Sequence, residues 1–143
     1  MQLVRKGDGV ITLEGVPIKE WFEAAGVRPA QDRYRGFLDG KCCMCLLTSL
    51  GYAALGHDAD ALYTAMNGKG GVSQGQPRTS AILAAVIGIP HREARALEDG
   101  WTDDMLSRAL LAARNEDAIE RLWHLGHDAW VQATSEGGRR AHG

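Results

Sequence analysis

The sequence predicts a mainly α-helical, compact single domain with six or seven short helices and a small N-terminal β-hairpin. Apolar residues recur at helical spacing in several segments, and the 18 glycines divide those segments into short elements. Alternation typical of strands is confined to about residues 3–18. We expect the domain to span residues 1–134 and the polar, glycine-rich tail 135–143 to be disordered.

The hairpin is predicted from two short apolar runs. Val10–Leu13 and Val16–Ile18 flank Glu14–Gly15, a pair suited to a tight turn. A short helix is expected directly afterwards, over residues 19–25, because apolar side chains recur there at helical spacing and Gly26 follows. Two strands alone are marginally stable, so the hairpin should lean against helices.

The remaining helices are predicted from apolar periodicity and capping residues. One begins in the cysteine cluster and ends near Gly56, with Cys43 on its buried stripe and Cys42 and Cys45 on a neighbouring stripe. Others are expected over 59–66, from 79 or 80 to 87, and over 91–97, 102–113 and 116–132. The glycine-rich segment 67–78 is predicted to be a loop, and loops of this length are usually functional or disordered.

Composition narrows the functional classes. The net charge of −2 argues against a protein whose main partner is a polyanion, because no excess of Lys and Arg is present to neutralise phosphates. No apolar run approaches the length that spans a bilayer, so no membrane partner is expected. The start of the chain lacks a signal-peptide pattern, and we expect a cytoplasmic protein with reduced thiols.

The cysteine cluster permits a catalytic interpretation. A thiol at a helix N-terminus has a lowered pKa, so Cys42 or Cys43 could serve a hydrolase or transferase as nucleophile. The base would come from a His–Asp pair, either at positions 57 and 58 or at positions 127 and 128. In papain-like hydrolases the nucleophile likewise lies at the start of a helix. These enzymes also need a histidine on a later strand, and no strand is predicted after residue 41.

Two other interpretations of the cysteines remain. A zinc site could combine Cys42 and Cys45, which have the Cys-x₂-Cys spacing, with His124 and His127. Alternatively the cysteines are buried small apolar residues, since cysteine is among the most frequently buried residue types. We favour this structural interpretation, and we therefore expect no metal and no cofactor; a role without catalysis is favoured over the cysteine-dependent enzyme, which stays the alternative.

The pentapeptide Leu-Gly-His-Asp-Ala occurs twice, at 55–59 and at 125–129. Each copy is predicted to be a junction between two helices, ended by glycine and restarted by aspartate as N-cap. The alternative is a pair of equivalent sites in which Asp58 orients His57 and Asp128 orients His127. The junction interpretation is favoured.

Residues 81–100 resemble the helix-turn-helix of small phage-type repressors. The resemblance rests on the spacing of seven residues: Ala84, Gly88, Ile89, Ala94, Leu97, Glu98 and Gly100. It implies that His91, Arg92 and Arg95 would face DNA from the second helix. The competing interpretation is two packed helices joined by a tight turn, and the acidic residues nearby favour it.

A second resemblance covers residues 34–51, where Cys42 and Cys43 follow a short Arg/Gly-containing stretch and precede an apolar helix. This segment resembles a group of small, mostly uncharacterised phage and prophage proteins with a Cys-Cys-Leu-Gly motif. Met44 and Cys45 replace the last two motif residues. The resemblance implies a mobile-element origin and a protein that binds a host or viral macromolecule.

Together these observations predict an accessory or regulatory protein that acts by binding, for example as an inhibitor of a host system. The predicted partner is another protein, with nucleic acid as the alternative. Four tryptophans also make a homodimer conceivable. Contacts are expected from the glycine-rich loop and the following helices, at Lys69, Gln74, Gln76, His91, Arg92 and Arg95.

Overall fold

The fold is given by a computed structural model, which describes residues 2–31, 43–66, 76–103 and 116–135. Within these ranges the chain forms six helices and five short strands. The strands are β1 Leu3–Arg5, β2 Ile11–Leu13, β3 Val16–Pro17, β4 Arg28–Pro29 and β5 Cys43–Met44. The helices are α1 Ile18–Ala25, α2 Leu46–Ala54, α3 Ala59–Met66, α4 Gln76–Ile87, α5 His91–Thr102 and α6 Glu116–Thr134. The predicted mainly α class is confirmed.

The N-terminal sheet extends the predicted hairpin by one strand. Its order is β1-β2-β3, and all pairs are antiparallel. The additional strand, β1, pairs with β2 so that Leu3 lies opposite Leu13. Glu14 and Gly15 both have positive φ, 54° and 78°, which matches the twist of a two-residue hairpin turn. The buried strand residues face helices, so the sheet is stabilised as expected.

Helix α1 follows the hairpin directly and confirms the predicted short helix. Its apolar face, made of Ile18, Trp21 and Phe22, is buried against α6 and β2. Gly26 ends the helix with φ 75°, a left-handed conformation that glycine adopts without steric cost. Helix α1 therefore packs with its apolar face against α6.

The predicted placement of Cys43 and Cys45 on a helix is wrong. Helix α2 begins at Leu46, and Cys43 belongs to β5, which pairs in parallel with β4. Cys45 has an extended backbone and is the N-cap, because its Sγ accepts the N–H of Thr48 at 3.5 Å. A strand therefore does follow residue 41, and Cys45 does not lie on a helix face. Cys42 is outside the described residues.

Helices α5 and α6 make the most extensive helix–helix contact of the described chain. Their backbones touch at two glycines. A Cβ at Gly100 would lie 1.9 Å from the carbonyl oxygen of Trp123, and a Cβ at Gly126 would lie 2.0 Å from that of Leu97. Only glycine permits this approach, which places α5 at the centre of the fold.

This approach explains why the predicted end of α5 is wrong. The helix is predicted to end at residue 97, but Gly100 lies within it at the contact with α6, and α5 continues to Thr102. Thr102 does not start a new helix, since its hydroxyl donates to the carbonyl oxygens of Glu98 and Asp99. Asp103 ends α5 with φ 62°. The helix predicted over 102–113 otherwise falls outside the described residues, as does the tail 136–143.

The two copies of the pentapeptide adopt different structures. At 55–59, Gly56 and His57 have positive φ and reverse the chain, and the Asp58 carboxylate accepts the N–H of Ala61 at 3.0 Å. The predicted junction with an aspartate N-cap is confirmed there. At 125–129 the prediction is wrong, because the segment lies within continuous α6 and Gly126 serves the contact with α5.

Trp101 is the centre of the core. It is fully buried, its ring stacks on Phe22 with centroids 6.0 Å apart, and the ring of Trp130 meets its edge at 5.1 Å. Its indole N–H donates to the Ala30 carbonyl at 2.8 Å, and Gln31 donates to its carbonyl at 3.0 Å. Trp101 thus joins α1, α5 and α6. No helix of the described ranges is long and apolar enough to cross a membrane.

Candidate functional site

Cys45 is a free thiol that is completely buried. Its Sγ lies 3.2 Å from the hydroxyl of Thr48, and the nearby Glu98 carboxylate accepts the N–H of Leu47 at 3.2 Å. Burial raises the pKa of the Cys45 thiol well above its usual range, and the negative charge of Glu98 raises it further. A neutral, buried thiol is a poor nucleophile, so the geometry supports a structural role for Cys45.

The other cysteines give no described nucleophile. Cys43 is buried in β5 and is disulfide-bonded, which corrects the expectation of reduced thiols for this residue. Its sulfur therefore cannot form a thiolate in this state. Cys42, the alternative nucleophile and a predicted zinc ligand, lies outside the described residues.

The predicted zinc ligands are not brought together where the structure describes them. Within those ranges, no group of three or more His, Cys, Asp and Glu side chains is arranged to hold a metal ion. Cys45 is in the core at the start of α2, whereas His124 and His127 lie on α6. His124 is exposed and lies 3.9 Å from the carboxylate of Glu120.

His57 is oriented by Glu14 and not by the neighbouring Asp58. Nε2 of His57 lies 2.5 Å from Oε1 of Glu14, and the indole N–H of Trp21 donates to the same oxygen at 2.9 Å. The imidazole also contacts the ring of Tyr52, with centroids 4.8 Å apart. Asp58 is engaged in capping α3. The contact between His57 and Glu14 joins the hairpin turn to the junction between α2 and α3, so His57 has a structural role.

His127 lies between two carboxylates on the surface of α6. Its Nε2 is 3.5 Å from Asp103 and its Nδ1 is 3.6 Å from Asp128, while its ring stacks on Trp123 at 5.2 Å. Arg5 of β1 binds the other oxygen of Asp128 at 2.8 Å. The predicted His127–Asp128 pair is thus brought together. The partners that it has within the described chain are carboxylates and an aromatic ring, not a nucleophile.

The predicted DNA-contacting residues lie at the start of α5. His91 is tied to the buried hydroxyl of Ser80 by a 2.8 Å hydrogen bond, and Arg95 lies 3.4 Å from the carboxylate of Asp99. Arg92 is exposed. From Ala96 onward α5 is buried against the other helices, so most of this helix is not accessible to a DNA groove.

Two of the predicted loop contacts cannot be placed. Lys69 and Gln74 lie outside the described residues. Gln76 is the first residue of α4, which therefore starts earlier than the expected residue 79 or 80. Thr79 and Ser80 are both buried within that helix.

A groove that sequence reasoning missed lies between the N-terminal sheet, the first turn of α1 and the end of α6. Its volume is about 810 Å³, and its described lining comes from residues 8–10, 17–20, 23, 131, 132 and 135. We call it the hairpin groove. A volume of this size lies within the range of sites that hold small molecules and cofactors, which is roughly 300–1,000 Å³.

Gln132 fixes the wall of the hairpin groove. Its Oε1 accepts the N–H of Ile11 at 2.8 Å, and its Nε2 donates to the carbonyl of Gly9 at 2.9 Å. The Asp8 carboxylate accepts the N–H of Val10 at 3.0 Å, which holds the turn between β1 and β2. The amide of one side chain thus binds the hairpin to α6, and the groove is preformed.

The lining combines apolar surface with acidic groups. Val131 on α6 is 46% exposed, and Pro17 at the start of α1 is also exposed. The ionisable side chains of the lining are three carboxylates, Asp8, Glu20 and Glu23, against one ammonium, Lys19. The groove therefore offers an apolar surface in a negative field.

Little in the sequence could have indicated this groove. Its walls come from segments more than a hundred residues apart, and the 121-residue separation of Ile11 and Gln132 has no local signature. The single signal is Val131, an apolar residue that lies off the helix face formed by Ile119, Leu122, Trp123 and Trp130.

Comparison of the chain with protein-family models, with curated proteins and with solved structures gave no match.

Proposed function

We propose that this chain is a small binding protein that acts on another protein through the hairpin groove, in an accessory or regulatory role. The observation that supports this proposal most is the preformed wall, in which Gln132 bonds both Gly9 and Ile11. A surface that is already ordered before binding loses little conformational entropy when a partner docks. The exposed Val131 supplies apolar area that a partner can bury.

The resemblance of residues 34–51 to phage and prophage proteins suggests the biological setting. We propose that the partner belongs to a host system that the protein inhibits in the cytoplasm. Residues 43–51 of this segment are described, and they form β5 and the start of α2. These residues pack in the core, so the segment supports the fold while the groove supplies the contact.

A protein partner agrees better with the groove than nucleic acid does. Three carboxylates against one ammonium in the lining would repel phosphates. A homodimer is less well supported by the tryptophans than the sequence suggested, because Trp21 and Trp101 are buried within the chain and Trp130 packs on Trp101.

Affinity capture with paired variants tests this proposal. The tagged wild-type chain, Val131→Glu and Val4→Glu would each be used to capture proteins from host lysate, followed by quantitative mass spectrometry. Val4 is the matched control, since it is 51% exposed on β1 and is not among the groove-lining residues. We expect a partner whose recovery falls about tenfold with Val131→Glu and is retained with Val4→Glu. Equal recovery with both variants, or no partner for wild type, would refute the proposal.

A further inference from the structure

The chemistry of the hairpin groove restricts what can occupy it. Asp8 on the turn after β1 and Glu20 in the first turn of α1 are exposed carboxylates on two of its walls. No cation of the described residues forms an ion pair with either of them. An occupant that carries positive charge would be attracted to these carboxylates, whereas an acidic one would be repelled.

The apolar part of the lining adds a second requirement. Pro17 of the hairpin and Val131 of α6 both line the groove, and both are exposed. Ile18, which also belongs to the lining, is almost fully buried. An occupant gains from the hydrophobic effect if it places an aliphatic or aromatic side chain against this exposed apolar surface.

We infer that the hairpin groove binds an extended, basic segment of a partner protein, in which Lys or Arg residues alternate with apolar residues. In such a segment successive side chains point to opposite sides, so one set can reach the acidic rim while the other enters the apolar part. This inference rests on the proposed function, because it names the kind of partner that the same surface recognises.

Substitution of Glu20 tests the role of the acidic groups most directly. Glu20→Lys reverses one rim charge, and Asp60→Lys is its matched control, because Asp60 is also an exposed acid in the first turn of a helix, α3, away from the groove. Both changes place a lysine near a helix N-terminus, so any loss of stability from the helix dipole should be similar. Circular dichroism would verify that both variants fold.

The test measures fluorescence anisotropy of a labelled octapeptide of alternating lysine and leucine. Two further probes replace lysine by glutamate or leucine by serine. We expect the lysine–leucine probe to bind wild type, and each replacement to weaken binding at least about tenfold. Glu20→Lys should weaken the lysine–leucine probe about threefold to tenfold, and Asp60→Lys should not. Binding should also weaken as salt is raised.

Several results would overturn the inference. These are no binding of the lysine–leucine probe, equal or tighter binding of the glutamate–leucine probe, or equal losses with Glu20→Lys and Asp60→Lys. If one of them occurs while affinity capture still shows a partner that Val131→Glu loses, the groove binds a protein of other chemistry and only the present inference fails. If both experiments fail, the proposed function fails as well.

Discussion

His57 and Glu14 meet across 43 positions of sequence, each with its backbone in the left-handed region. The φ angles are 63° and 54°, and the imidazole Nε2 lies 2.5 Å from the carboxylate. A non-glycine residue in this region costs on the order of 1 kcal/mol or more, so the surrounding contacts must compensate. Trp21, which donates to the same carboxylate oxygen, supplies one of them.

The stability that Glu14 contributes should depend on pH. Partial burial alone raises the pKa of the Glu14 carboxyl, but the hydrogen bonds from Trp21 and His57 and the charge of His57 lower it below its ordinary value. A carboxyl whose folded pKa is lowered stabilises the fold above its unfolded pKa, and this contribution is lost as pH falls through the folded pKa. We therefore expect Glu14→Gln to reduce the free energy of unfolding by about 1 kcal/mol near neutral pH.

The difference between wild type and Glu14→Gln should shrink as pH falls below the ordinary carboxyl pKa of about 4. Urea unfolding at several pH values measures it. Glu120→Gln is the control, because Glu120 is exposed on α6 and its described partner, His124, is 3.9 Å away. A difference for Glu14→Gln that stays constant with pH would contradict this role.

The close contact of α5 and α6 predicts an unusual sensitivity to alanine. Gly100→Ala and Gly126→Ala each place a methyl group about 2 Å from a carbonyl oxygen of the other helix, so the backbones must separate. We expect each variant to lose about 3 kcal/mol of unfolding free energy, measured by urea denaturation.

Gly7→Ala is the matched control for these glycines, because nothing lies within 4 Å of its Cβ position. It should change stability by no more than about 0.5 kcal/mol. A loss for Gly100→Ala or Gly126→Ala as small as that of Gly7→Ala would show that the two helices are not in backbone contact.

The contrast between these glycines and those that end helices shows what the sequence could predict. Gly26 ends α1 and Gly56 lies at the turn after α2, as local periodicity predicts, because the chain reverses there. Gly126 even has the same sequence neighbours as Gly56, a leucine and a histidine, but the role of Gly126, like that of Gly100, depends on a second helix that no local pattern reveals. The helices 18–25 and 59–66 were predictable because their apolar spacing and caps are local.

The cysteine segment was mispredicted for a related reason. Its apolar spacing suits a helix, but Cys43 pairs with Arg28 of β4 and Cys45 caps α2 with its sulfur. Parallel strand pairing is a long-range contact, and a sulfur cap is not among the preferred N-cap side chains. The hairpin groove was missed because two regions more than a hundred residues apart, 8–23 and 131–135, build it.

The buried position of Cys45 predicts slow chemical modification. Because the thiol is buried and its pKa is raised, iodoacetamide should react with Cys45 at least about a hundredfold more slowly in the folded chain than in urea. Mass spectrometry of the Cys45 peptide measures the rate. Cys45→Ser, which keeps a capping atom, should remain folded.

Fast labelling of Cys45 in the native chain, with an apparent pKa below the ordinary value of about 8.5, would contradict its structural role. The unfolded chain labelled in parallel shows that the reagent is active, so slow native labelling can be assigned to burial.

Recognition of an extended basic segment by the hairpin groove is tested most directly by an NMR titration of the ¹⁵N-labelled chain with the lysine–leucine octapeptide. The account predicts that the largest changes in amide chemical shift occur at Gly9, Lys19, Glu20 and Gln132, which line the groove. The account would be contradicted if the largest chemical-shift changes occurred at the start of α5, around His91 and Arg92, or if no amide signal changed.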